Sequence, residues 1–193
     1  MIKISATNRG SKRVESDFYS TPHGCIDDFL NNHKLQHGDI LEPSAGNGNI
    51  VKAIRDKGYK NHITSLELRR EERGMLNKYS DKVIIDDFLT WKAGKRYKTI
   101  IGNPPYSLAL DFIKKSLDLL DDDGELIFLL RTALLESKKR YNFWQKNPVN
   151  KLYVVSNRPS FTGKGSDATS YSWFVWKKNT DKQEINVIWG RKK

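Results

Sequence analysis

Asp39-Ile40-Leu41-Glu42-Pro43-Ser44-Ala45-Gly46-Asn47-Gly48, continued by Ile50, Val51 and Ile54, is the stretch on which the reading of this chain turns. A short apolar run ends on an acid, two glycines follow, and apolar residues then resume at helical spacing. That order predicts a strand, a tight turn and a helix. Gly46 and Gly48 let the backbone turn sharply and let a ligand approach it closely. A phosphate-binding loop has a similar outline, but the Gly-Lys-Ser/Thr ending is missing and the turn is acidic where phosphate requires the reverse.

Outward from this unit, short apolar runs alternate with helical stretches. His62 to Glu67 and Val83 to Asp86 read as strands, with a charged helix, Arg69 to Lys78, between them. Tyr97 to Gly102 reads as a fourth strand, and Leu108, Phe112, Leu119 and Leu120 mark one face of the next helix. Asp121-Asp122-Asp123-Gly124 is a turn leading into a central strand, Glu125 to Leu130. The pattern predicts an α/β fold, a parallel sheet with helices on both faces. Beyond a basic helical stretch, Glu136 to Lys146, the segments Leu152 to Val155, Ser170 to Trp176 and Ile185 to Trp189 are too close together for crossover helices. They are expected to pair antiparallel at one end of the sheet, with a long loop over 157–169. Residues 1–16 read as a basic, flexible arm and 17–193 as one domain, which Cys25 to Asn31 joins as a helix.

Asn103-Pro104-Pro105-Tyr106 follows the strand that ends at Gly102. Two prolines end the ladder and stiffen the corner, so the groups beside them are held before any substrate arrives. The Asn103 side-chain carbonyl and the Pro104 main-chain carbonyl are then two acceptors able to converge on one planar amino group. Such an amine is a poor nucleophile because its lone pair is delocalised, and fixed acceptors favour the tetrahedral geometry that localises the pair. Tyr106 offers a flat surface for a base. Ligands of open α/β sheets bind at such carboxyl ends.

Charge points to the partner. Thirty-four Lys and Arg against 23 Asp and Glu give a formal charge of +11, which favours a polyanion through counterion release. No apolar run is long enough to span a bilayer, the first 13 residues do not form a signal peptide, and Cys25 is the sole cysteine, so an intracellular, cytoplasmic location is expected. His33 and His37 have helical metal-ligand spacing, but no third ligand accompanies them and Gly38 breaks the stretch, so no metal is expected. Cys25 reads as a buried apolar residue, and no Pro-Cys nucleophile is present.

The order of these segments resembles the N6-adenine DNA methyltransferases with the gamma motif order. The matching segments are Thr21-Pro22, Leu41 to Gly48, Ser65-Leu66-Glu67, Asp86-Asp87-Phe88, Asn103-Pro104-Pro105-Tyr106 and Arg158-Pro159-Ser160-Phe161. The resemblance covers nearly the whole chain. It implies a Rossmann-like class I fold dependent on S-adenosylmethionine, with a mostly parallel seven-stranded sheet and an antiparallel C-terminal edge. It also implies methyl transfer to adenine N6 in DNA, with the base flipped into the pocket of Asn103, Pro104, Pro105 and Tyr106. RNA bases and a protein glutamine amide are alternative acceptors for the same chemistry, and a noncatalytic nucleic-acid-binding module is an alternative of another class.

Further roles follow from the resemblance. The cofactor would be held by Thr21, Glu42, Pro43, Ala45, Gly46, Gly48, Glu67, Asp87, Phe88 and Asn103: Glu42 at its cationic end, Glu67 at the ribose hydroxyls, and Asp87, with Asp86 as an adjacent alternative, at the adenine amino group. Thr21, within a motif spanning Asp17 to Pro22, would help hold the methionine carboxylate. Phe161 would stack on the target base opposite Tyr106. Lys138, Lys139, Arg140, Arg158 and Lys164, with Arg9, Lys12 and Arg13 of the arm, would track the phosphates. Family members usually carry a long recognition region after the catalytic domain, whereas this sequence ends at Lys193, so a compact form is expected, with short or relaxed specificity or a separate specificity subunit.

Overall fold

The computed structural model describes residues 20–159, 161, 169–178 and 182–189. The arm over 1–16, the start of the Asp17 to Pro22 motif and Lys164 lie outside the described residues.

The strands are β1 (Ile40–Glu42), β2 (Ile63–Glu67), β3 (Lys82–Ile85), β4 (Tyr97–Gly102), β5 (Leu120–Arg131), β6 (Lys151–Val155), β7 (Tyr171–Lys177) and β8 (Glu184–Ile188). They form one sheet in the order β3-β2-β1-β4-β5-β7-β6-β8. The first five pair in parallel, and β7 runs antiparallel to both β5 and β6. The expected mostly parallel α/β fold with an antiparallel C-terminal part is present, with eight strands rather than seven. The expectation that all three last strands pair antiparallel is corrected at β8, which runs parallel to β6. Both edges of β7 are already taken by β5 and β6, so the returning chain finds an open edge only beyond β6.

Helices cover both faces. On one, α1 (His23–Asn32) and α2 (Asn49–Asp56) bury Ile26, Phe29, Val51 and Ile54 against Ile101, Ile127, Tyr153 and Trp173. On the other, α4 (Ala109–Leu119) buries Phe112 and Ile113 against Ile100, Leu126, Phe128 and Phe174. Each fully buried Ile, Leu or Phe contributes roughly 1.5–3 kcal/mol. The stripe expected on α4 is shifted. Leu108 is exposed and Leu120 already belongs to β5, while Ala109, Phe112, Ile113 and Ser116 form the buried face. Arg69 to Lys78 is not one helix but a 3-10 turn at Arg70–Glu72 followed by the short α3 (Arg73–Leu76). The stretch after β5 is likewise broken, into 3-10 turns at Thr132–Leu135 and Lys138–Arg140 and then α5 (Tyr141–Lys146). Both segments are too polar to bury a continuous helical face.

The Asp121 to Gly124 turn is built as an irregularity within β5. Tyr97 pairs with Leu120 and Thr99 with Glu125, so Lys98 alone faces four residues of β5. Arg96 and Lys98 pair with Asp122 and Asp123. A Cβ on Gly124 would stand 3.0–3.1 Å from the carbonyl oxygens of Lys98, Asp121 and Tyr97, all of them backbone. Gly124→Ala is therefore expected to destabilise the fold by about 1–3 kcal/mol, the usual range for overpacking. Urea unfolding measures this, and an unchanged midpoint would show that the corner is free to relax.

Candidate active site

The strand order reverses between β1 and β4, because β2 lies on one side of β1 and β4 on the other. Their carboxyl ends therefore leave a crevice. A cleft of about 900 Å³ of open space occupies it. Thr21, Glu42, Pro43, Ala45, Gly46, Glu67, Asp87, Phe88, Asn103 and Pro105 all line it, so five separate stretches of sequence are brought together. Gly48, Pro104 and Tyr106 are not among the lining residues.

The glycine turn forms one wall. Gly46 and Gly48 have φ of 54° and 80°, in the left-handed region that glycine adopts without strain. Gly48 caps α2, and its N–H donates to the Ala45 carbonyl at 2.9 Å. Gly46 N–H donates to Glu67 Oε2 at 2.7 Å, which ties this turn to the end of β2. Glu67 Oε1 accepts from both the backbone N–H of Arg69 (3.0 Å) and its Nε (2.9 Å).

A second wall comes from the segment before α1. Asn47 and Asn49 both donate to Ser20 Oγ, at 3.0 and 2.8 Å, and Asn49 also donates to the Thr21 carbonyl at 2.9 Å. Thr21 is thereby pinned beside the glycine turn, and its Oγ1 accepts from Asn103 Nδ2 at 3.1 Å. Because an amide is planar, this bond turns the Asn103 carbonyl oxygen to the opposite side. Behind Asn103, Pro104 is buried.

Glu42 is 1% exposed, and its Oε2 has no hydrogen-bond partner among the described residues. Burial first, and the nearby Glu67 second, push its carboxyl well above the usual carboxylate range. A buried acid in this condition fits a cation: an ammonium in the cleft would satisfy Oε2 and restore the charged form. Asp87 is exposed and lines the cleft, and its Oδ1 also accepts from Leu89 N–H at 2.9 Å to open a turn. Asp86 lines the cleft too. Phe88 is buried against Phe112, 4.9 Å between ring centroids, and Lys115 lies over its ring while bonding the Leu89 and Trp91 carbonyls.

The expected nucleic-acid residues lie apart from the cleft. β5 and β6 end on the same side of the sheet as β4, because β7 is antiparallel to both. Lys138 and Lys139 are exposed on the connection after β5, and Arg158 is exposed after β6. Arg140 instead folds onto that connection, donating to the Leu134 and Glu136 carbonyls at 2.8 and 2.5 Å. Phe161 packs on the core and meets Tyr171 edge-on at 4.9 Å, while Tyr171 also meets the Tyr106 ring at 5.6 Å. Tyr171 therefore touches both rings expected to flank the base.

Several contributors escaped the sequence reading. Asn47 and Asn49 have a local signal, since Asn beside Gly in a turn has a side chain free to reach another segment. Arg131 and Tyr171 have none, because strand pairing alone brings them here, and Arg69 is held by Glu67 two residues before it. His33 is not a ligand of the kind its spacing hinted at: α1 ends at Asn32, and the buried His33 bonds Glu125 and Tyr153, each at 3.1 Å. No group of three or more His, Cys, Asp or Glu suited to a metal occurs among the described residues. Burial pushes the Cys25 thiol up to about 12, which makes it unreactive.

Sheet order and site together define the fold as that of the class I S-adenosylmethionine-dependent methyltransferases. The chain superposes with a TM-score of 0.67 on a Listeria monocytogenes protein described as belonging to that class, over 90% of this chain and 66% of that one, at 15% identity. In sequence, it is similar to the modification methylase CviBIII of Paramecium bursaria Chlorella virus NC1A, 28% identical over 63% of this chain and 37% of that enzyme. The type II methyltransferase M.CvrRI of Paramecium bursaria Chlorella virus XZ-6E is 25% identical over 80% of this chain and 52% of that enzyme. A tRNA1(Val) (adenine(37)-N6)-methyltransferase of Glaesserella parasuis is 25% identical over 56% of this chain and 61% of that enzyme. The chain thus spans about half or less of the length of the two viral relatives. No protein-family model matches it.

The state of Glu42 has a measurable consequence. A carboxyl whose folded pKa lies above its unfolded one binds more protons in the native state, so native stability falls as pH rises through the ordinary Glu range toward the folded pKa. Glu42→Gln removes that loss. The variant is expected to unfold a few degrees higher than the parent at neutral pH, with the difference vanishing below pH about 4, where both side chains are neutral. Thermal scans across pH measure this, and a lower midpoint for the variant at neutral pH would show that Glu42 is charged and paired in the free protein.

Proposed function

We propose that the chain transfers a methyl group from S-adenosylmethionine to N6 of adenine in DNA, with the target base turned out of the helix and into the pocket beside Asn103. The observation that carries this reading is the Asn103 amide, held by Thr21 in a cleft also lined by Glu42, whose Oε2 has no hydrogen-bond partner among the described residues. The type II DNA methyltransferases among the relatives, and the +11 charge, support DNA as the substrate.

Glu42 would meet the ammonium end of the cofactor, Glu67 the ribose, Asp87 or Asp86 the adenine amino group, and Phe88 that ring. Bound there, the cofactor supplies an activated methyl on a sulfonium. Asn103, with the Pro104 carbonyl, accepts hydrogen bonds from the target amino group and positions its lone pair for in-line attack. The stiff diproline corner keeps these acceptors from relaxing. No strong base is required of the protein, since the amine sheds its proton after the methyl has arrived. Tyr106 supports the base, and Lys138, Lys139 and Arg158 lie at the same end of the sheet to meet phosphates.

A second reading, methylation of an RNA adenine, is favoured by the similarity to the tRNA enzyme. A labelled-methyl assay on duplex DNA, single-stranded DNA, tRNA and protein separates the two, and DNA is expected to take the label on adenine N6. Asn103→Ala is expected to lower turnover by about 100-fold or more, as loss of a preorganised polar group does. Calorimetry with S-adenosylhomocysteine should show binding weakened far less than turnover. Unchanged turnover removes Asn103 from the chemistry, and no cofactor binding by the parent chain removes the enzyme reading altogether.

A further inference from the structure

Tyr106 does not present an open ring. Arg131, the exposed last residue of β5, places its guanidinium carbon 4.9 Å from the Tyr106 ring centroid. Strand pairing puts it there: Arg131 stands opposite Tyr171 in the β5–β7 ladder, and Tyr171 meets the Tyr106 ring at 5.6 Å. Tyr106 also packs against both apolar layers of the core, so its ring is partly covered by the protein as well as by Arg131. A guanidinium is flat, delocalised and weakly hydrated, and it lies on an aromatic ring much as a base would. An exposed contact of this kind is weak, and a stacking base can displace it.

We propose that Arg131 is a placeholder for the target base: its guanidinium covers Tyr106 in the free protein, leaves when the base enters, and then binds the phosphate backbone beside the extruded nucleotide. This rests on the nucleic-acid reading given above and adds to it a residue that decides how the base gains access. The exchange is chemically matched. Phosphate is a partner for which the paired N–H groups of a guanidinium are shaped. Arg131 stands at the end of the sheet that also carries Lys138, Lys139 and Arg158. Arg131 would then couple base entry to backbone grip, and a chain sliding on DNA would keep Tyr106 covered until an adenine is extruded.

The test uses the full chain with S-adenosylhomocysteine bound. A fluorescently labelled single-stranded deoxyoligonucleotide with one adenine is titrated at several salt concentrations, alongside the same oligonucleotide abasic at that position. Arg131→Ala is expected to lower the slope of log Kd against log salt by about 0.7, one phosphate contact on a single strand. It should also raise the preference for the adenine oligonucleotide over the abasic one, because the ring stands open. Arg131→Lys, which keeps the charge, is expected to keep the parent slope. A slope unchanged in Arg131→Ala, or a preference for adenine that falls, overturns the placeholder role while leaving the methyltransferase reading intact if the parent chain labels DNA. A parent chain that binds neither oligonucleotide overturns both.

Discussion

The pairing of β1 with β4, Leu41 opposite Ile100, is the constraint on which the site depends. It places the end of one strand, Glu42, within one residue of the end of the other, Gly102, so that the chain beyond each enters the same crevice. A Cβ on Gly102 would stand 3.3 Å from the Pro43 ring, which shows how closely the two strand ends approach. A shift of that register by one residue would turn Glu42 out of the crevice, because side chains alternate across the sheet. The cofactor-facing acids and the diproline corner are thus related through backbone hydrogen bonds, and no side-chain contact between them is needed to fix their relative height.

Charge is sorted with the same economy. In a chain of net charge +11, the cleft is lined by Glu42, Glu67, Asp86 and Asp87, with Arg69 as the basic residue among them. Glu67 is partnered by Gly46 N–H and by Arg69, whereas Glu42 has Oε2 unpartnered among the described residues. Burial raises the cost of ionising Glu42, and the nearby Glu67 adds to it. A positively charged ligand relieves this tension, and a phosphate would worsen it. The basic residues at the sheet end lie outside the cleft, where a polyanion meets them without crossing the acids.

The sequence made most of this fold legible because the parallel half is written locally: each apolar run and each glycine turn announces itself within ten residues. Most of the cleft-lining residues were legible for the same reason, since they sit at or soon after a strand end, Thr21 before α1 being the exception. What was hidden depends on pairing at a distance. β8 runs parallel to β6 because β7 has no open edge, and no spacing within 170–189 reveals that. The stripe on α4 was misplaced because Leu119 and Leu120 are consecutive leucines at a helix–strand junction, and composition does not say where one element yields to the next. Tyr171 reaches the aromatic cluster because an antiparallel strand begins where its parallel neighbour ends, which brings the first residue of β7 to the functional end of the sheet.

Asn103 stands at the boundary between two environments. On one side, Thr21, the glycine turn and the buried acids form a cleft suited to a cationic small molecule. On the other, Tyr106, Tyr171, Phe161 and Arg131 form a cluster of flat groups suited to a base. The bond from Asn103 Nδ2 to Thr21 Oγ1 ties Asn103 to the first of them. It orients the amide through its nitrogen, so on the proposed function the acceptor for the amino group would be aimed by a contact made on the side of the glycine turn. Thr21 is in turn held by Asn49, at the start of α2, so the aim of Asn103 depends on the glycine turn being formed. On the proposed function, the segment before α1 would therefore link the two halves of the site: through Thr21, the part that would receive the methyl donor would also set the direction of the Asn103 carbonyl.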